Sequence, residues 1–125
     1  MSGSPKHRIL MVEDESLLLE VITADLEDAG FSVLQAATAE IAMNILKAEA
    51  SIDLLFTDIR LPGRMDGWQL AEAARTLRPG LPIIYATGFS QTPPRLIEGS
   101  LLFTKPYRAA AVIKAIQSLE ARPKG

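Results

Sequence analysis

The sequence has 125 residues, 48% of them hydrophobic and 22% charged, with a net charge of −2 and no cysteine. That is enough chain for one globular domain with a substantial core. It argues against several classes: no net positive field draws it to nucleic acid or anionic lipid, though a local basic patch stays open, no thiol serves disulfides, metal or catalysis, and no apolar run nears the ~20 residues of a membrane span.

The first residues, MSGSPKHR, lack the apolar core of a signal peptide. Residues 1–7 are read as a disordered leader, His7 as an inert surface residue, 8–121 as one domain and 122–125 as a frayed tail. Arg8–Val12 is a short run rich in branched residues, which predicts a buried strand. The segment 14–30 follows with Leu18, Val21, Ile22 and Leu26 at helical spacing and Gly30 as a stop signal. Phe31–Ala37 suits a second strand. A helix runs from Thr38, its expected N-cap, over 38–50. Residues 52–57 read as a third strand, ending at Asp58. A third helix has Asp66 near its start, Trp68 as a packing residue in its first turn and Pro79–Gly80 past its end. Leu81–Thr87 is a fourth strand. The stretch 88–100 is ambiguous, because Pro93–Pro94 leave room only for a short helix around Arg95–Glu98. Leu101–Thr104 is a fifth strand. Tyr107–Ala121 is an amphipathic helix with Val112, Ile113, Ile116 and Leu119 on one face.

Continuous apolar strands alternating with helices imply an α/β, doubly wound parallel sheet covered on both faces. Such sheets bind ligands outside the carboxyl ends of their strands. There this chain places Glu13–Asp14, Asp58, Thr87–Gly88 and Lys105–Pro106. Each has a plain explanation alone, since acids after strands are commonly solvated or cap the next helix. Together, chance is a poor account. Three close carboxylates repel unless a cation intervenes, and few hard oxygen ligands suit Mg²⁺. A carboxylate can act as a nucleophile and form an aspartyl-phosphate, and phosphoryl transfer asks mainly for positioning and charge neutralisation. Asp58, at the end of the central run, is the expected phosphoacceptor. Glu13 and Asp14 would hold the metal, Lys105 would neutralise phosphoryl oxygens, and Thr87 with the N–H groups of Ile59 and Gly88 would bond them.

Four motifs, VEDE (12–15), TDIRLPGRMDGW (57–68), YATG (85–88) and FTKPY (103–107), make the chain resemble the receiver domain of two-component response regulators over Arg8–Leu119. The resemblance implies a flavodoxin-like (βα)₅ fold with strand order 2-1-3-4-5 and a short or irregular fourth helix. It implies phosphorylation of Asp58 by a histidine kinase or a histidine phosphotransfer protein, and an unknown output protein. Asp14 would be a direct Mg²⁺ ligand, with Glu13 acting through water and Arg60 giving its carbonyl. A cis bond before Pro106 would aim Lys105 inward. No nucleic acid or membrane is implied as partner; a cytoplasmic monomer or weak dimer is expected, catalysing only its own phosphorylation and dephosphorylation.

Departures sharpen this. YATGF resembles the "FAT GUY" subgroup of single-domain receivers in part, Tyr85 and Ser90 standing for its Phe and Tyr. Leu102 occupies the place of the switch aromatic, so aromatic coupling is not expected, and Tyr85 is read as a buried tyrosine. Gly88–Gly99 is read as the element that phosphorylation would order. The loop Leu61–Gly67 looks one residue longer than the common form, and Arg60 and Phe89 border the expected path of the hydrolytic water. No further domain follows the last helix, so a stand-alone receiver is expected. The rivals are a phosphorylation-independent scaffold, disfavoured because all five site residues are present, and an aspartyl-nucleophile phosphatase, disfavoured because Arg60 stands where a second acid belongs.

Overall fold

The computed structural model describes residues 7–49, 51–88 and 99–120. The strands are β1 (Arg8–Val12), β2 (Ser32–Ala36), β3 (Leu54–Asp58), β4 (Ile83–Thr87) and β5 (Leu101–Thr104), and the described helices are α1 (Ser16–Asp28), α2 (Ala39–Ala48), α3 (Gly67–Leu77) and α4 (Ala109–Glu120). The strands form a single sheet in the order β2-β1-β3-β4-β5, every neighbouring pair parallel. This is the doubly wound order expected from the sequence. The segment expected to carry a short fourth helix, Arg95–Glu98, lies outside the described residues, as do Pro93–Pro94, Phe89 and Ser90, most of the residues 1–7 read as a leader, and the 122–125 tail.

Two apolar layers sandwich the sheet. On one face Leu10, Val12, Leu55, Ile83 and Tyr85 meet Ala39, Ala42 and Leu46 of α2 and Trp68, Leu70, Ala71 and Ala74 of α3. On the other, Ile9, Met11, Leu54, Phe56, Ile84 and Ala86 meet Leu19, Ile22 and Leu26 of α1 and Val112, Ile116 and Leu119 of α4. The two sets alternate along each strand, as the two-residue period of a strand requires. Cover on both faces explains why β3 and β4 are buried at every position and carry unbroken apolar runs.

The ends of the helices follow their sequence signals. The Thr38 hydroxyl accepts the Ile41 N–H at 3.1 Å. Asp66 and Gln69 form a reciprocal capping box at the start of α3, both bonds 2.9 Å. Gly30, just past α1, has φ of 100°, the conformation that favours glycine. One helical reading shifts: Leu19 is buried while Val21, expected on the apolar face, is 49% exposed. The apolar stripe of α1 is wider than the face it buries, and only packing selects which side turns inward. His7, read as part of the leader, is held against the sheet, its carbonyl accepting the Ser32 N–H at 2.9 Å.

Candidate functional site

Strand alternation carries the site as well as the core. Ile9 and Met11 face α1 and α4, so Glu13, two residues on, reaches the same face at the carboxyl end of β1. Leu54 and Phe56 do the same for Asp58, and Leu101 and Phe103 for Lys105. Three residues far apart in sequence therefore converge above one side of the sheet.

The ladder continues past the strand ends and fixes their backbones. The Glu13 N–H donates to the Ala36 carbonyl at 3.0 Å, and the Lys105 N–H to the Thr87 carbonyl at 2.7 Å. The Lys105 ammonium donates to Glu13 Oε1 and to Asp58 Oδ2, each at 2.9 Å. Glu13 Oε2 accepts the Glu15 N–H at 3.0 Å, at the start of α1. Glu13, Asp58 and Thr87 are buried, and Asp14 is exposed beside them. The Lys105–Pro106 bond is cis.

Burial pushes the Asp58 carboxyl up most; the Lys105 hydrogen bond pulls it down and the Glu13 charge pushes it up again, leaving it at about 6 against an ordinary 3.8. For Lys105 burial works downward, but the bonds to Glu13 and Asp58 outweigh it and raise the ammonium above its usual value. The amine stays charged between the two acids that it bridges.

Glu13, Asp14 and Asp58 each offer an oxygen within 4.8 Å of the others. A set of hard carboxylate oxygens fits Mg²⁺. Both oxygens of Glu13 are already engaged, whereas Asp14 is exposed, so Asp14 and Asp58 are the better placed to touch an ion directly.

One expected donor is spent elsewhere. The Ile59 N–H donates to the Ala86 carbonyl at 2.9 Å, extending the β3–β4 ladder past Asp58, and so cannot also serve a phosphoryl oxygen. Gly88 is exposed, and no described residue lies within 4 Å of where a Cβ would stand, which leaves that side of its backbone open. Arg60 is exposed in the loop after Asp58. Leu102 pairs in register with Tyr85 and is 39% exposed on the edge strand, away from the charged cluster. Tyr85 itself is fully buried, its ring 4.7 Å from that of Trp68.

Two supports were missed in the sequence. A Cβ on Gly67 would lie 2.1 Å from the Asp58 carbonyl oxygen, so only glycine lets α3 start this close to the acid; the Gly67 N–H also donates to the Ile59 carbonyl at 2.8 Å. The signal available was a glycine directly after the Asp66 cap. Glu40, in the first turn of α2, accepts the Arg64 N–H at 3.1 Å and ties down the loop after β3. That contact joins residues 24 apart, and no local pattern announces it.

The architecture and the strand-end constellation both have relatives. A family model for the response regulator receiver domain matches residues 9–117. A crystal structure of a response regulator receiver protein from Sinorhizobium medicae superposes with a TM-score of 0.88 at 36% identity, covering 94% of this chain and 98% of that one. The receiver domain of the hybrid histidine kinase CckA gives a TM-score of 0.77 at 30% identity, covering 90% and 97%. The response regulator receiver protein CpdR of Brucella abortus is 37% identical over 83 residues, 66% of this chain and 68% of that protein. Some curated relatives are much longer: the match spans 26% of the transcriptional regulatory protein GlrR of Escherichia coli, at 32% identity. The chain thus belongs to the response regulator receiver domains of two-component signalling.

Proposed function

We propose that Asp58 accepts a phosphoryl group from a phosphohistidine on a histidine kinase or a histidine phosphotransfer protein, in a Mg²⁺-dependent reaction. The observation that carries this is the Lys105 ammonium, bonded at 2.9 Å to both the Asp58 and the Glu13 carboxylates. In the reaction, an oxygen of Asp58 attacks phosphorus in line with the departing imidazole nitrogen. The P–N bond breaks, an aspartyl-phosphate forms, and the histidine keeps the electron pair and takes up a proton. Lys105 offers charge-assisted donors to the incoming oxygens. The Thr87 hydroxyl and the Gly88 N–H, at the carboxyl end of β4, are the remaining donors. Asp14 and Asp58 would hold Mg²⁺ directly, with the Arg60 carbonyl, and Glu13 through water. When bound, the ion supplies neutralisation of charge on the phosphoryl oxygens.

The output leaves by protein contact or by passing the phosphate on. The receiver domain of a hybrid histidine kinase among the structural neighbours supports a kinase-linked role. Among the described residues, no helix is long and apolar enough to cross a membrane.

The test is labelling with a small-molecule phosphodonor, with and without Mg²⁺, in wild type and Asp58→Asn. Labelling of wild type alone, and only with the ion, is expected. A wild type inert to small donors and to every phosphohistidine protein tried would turn the reading to a scaffold.

A further inference from the structure

Tyr107 stands two residues beyond Lys105, and neither the fold nor the proposed reaction uses its hydroxyl. Its ring packs against Phe56, with centroids 5.6 Å apart, and against Phe103, at 6.3 Å. It thus lies on the α1/α4 side of the sheet, the side to which alternation carries Glu13 and Asp58. The hydroxyl is buried and has no hydrogen-bond partner among the described residues. Burying such a group unmatched costs about 1–3 kcal/mol, which a phenylalanine with the same ring contacts would avoid. Burial, and after it the charge of Glu13, hold the phenol above its ordinary pKa; Lys105 opposes this, and Asp58 and Glu15 add to it. The group is a protonated donor in the field of the site's acids, Glu13 foremost.

At rest each Glu13 oxygen already holds a donor, and phosphorylation would draw one of these donors away. Glu13 Oε1 takes a hydrogen bond from Lys105 at 2.9 Å, and Oε2 takes the Glu15 N–H at 3.0 Å. A phosphoryl group on Asp58 brings further anionic oxygens that compete for the Lys105 ammonium. Two of the ammonium's three N–H groups are engaged at rest, one on each acid; as the ammonium moves toward the new oxygens its bond to Glu13 weakens, and Glu13, 1% exposed, cannot turn to solvent instead. We propose that Tyr107 is a positioning residue of this site, its O–H donating to the Glu13 carboxylate, directly or through one water, once Lys105 turns to the phosphoryl group. The hydroxyl that is idle at rest then keeps Glu13 aimed at the metal in the phosphorylated state. The inference rests on Asp58 as phosphoacceptor.

Beryllofluoride with Mg²⁺ serves as the phosphoryl mimic. Tyrosine labelled with ¹³C at Cζ gives two resonances, because Tyr85 and Tyr107 are the chain's two tyrosines, and Tyr107→Phe assigns them. On adding the mimic to wild type, the Tyr107 resonance is expected to shift. Tyr107→Phe is expected to bind the mimic about tenfold more weakly, as the loss of one hydrogen bond to a charged group implies. Its melting temperature without metal should equal or exceed that of wild type, because the variant sheds an unmatched hydroxyl. A Tyr107 resonance that stays in place, or a Tyr107→Phe affinity within about twofold of wild type, overturns the inference alone. A wild type that binds no mimic at all overturns the phosphoacceptor reading and this one with it.

Discussion

The centre and the edge of the sheet supply the same site by different means. Every residue of β3 is buried, and its last one, Asp58, is held by its surroundings. The Thr57 hydroxyl donates to the Asp58 carbonyl at 2.9 Å, and Gly67 presses against that carbonyl from α3. On β5 exposure alternates, and the four-residue strand borders solvent. Lys105 extends from this edge on a flexible stem and is placed by the two carboxylates it bridges. The acid is positioned by packing, the cation by charge. In the proposed reaction a group that attacks in line needs a rigid backbone, whereas an ammonium that follows moving charge benefits from a flexible stem.

Four perturbations test this contrast. The largest concerns the acid at the centre. The folded Asp58 carboxyl keeps its proton to about pH 6, against an ordinary 3.8. Its folded pKa is the higher one, so its contribution to stability is complete below pH ~4 and is lost as pH rises through ~6. Relative to Asp58→Asn, metal-free wild type should lose about 2 kcal/mol between pH 4 and pH 7. Denaturant titrations of both proteins at the two pH values check this, and a constant gap between them would mean that Asp58 is not strained by burial. Mg²⁺, which favours the carboxylate, should narrow the gap at pH 7.

Next comes the edge cation. Lys105→Ala should slow labelling by a small phosphodonor about 10²-fold, the usual loss for one oriented donor to developing charge. An unchanged rate would remove Lys105 from the chemistry and leave it a structural counter-ion.

The third test returns to the centre. Gly67→Ala forces a Cβ against the Asp58 backbone and should cost about 1–3 kcal/mol, as overpacking commonly does. Its melting temperature reports this, and Trp68, buried next to Gly67, should change its emission at the same time. A neutral result would show that the start of α3 can move away without consequence.

The smallest effect is expected at Leu102. On the exposed edge, Leu102→Ser should change stability by less than about 0.5 kcal/mol, and labelling should keep its wild-type rate. A large loss in either measurement would give this position a role that its exposure argues against.

Much of the fold could be read along the chain because its signals are local. β3 and β4 are buried on both faces and so are unbroken apolar runs. Thr38 and Asp66 cap helices by bonding their own next turn. The candidate site was legible for a related reason: a doubly wound sheet sends every strand's carboxyl end to one side, so Glu13, Asp14, Asp58, Thr87 and Lys105 could be collected by counting strands. What could not be read needs knowledge of neighbours. The stripe of α1 included Val21, yet Leu19 is the residue that meets the sheet. The Ile59 N–H looked available until β4 placed the Ala86 carbonyl at 2.9 Å.

The fold class and the candidate site were already written in the sequence, since strand periodicity and the residue types at strand ends are local facts that one topology gathers together. Tertiary packing alone set that the Ile59 N–H is engaged by β4, that Glu13 has a donor on each oxygen, that Gly67 must lack a side chain, and that the Tyr107 hydroxyl is buried on the side of the sheet where the acids stand. Those are properties of distances between segments far apart in the chain, set when the two faces of the sheet are packed.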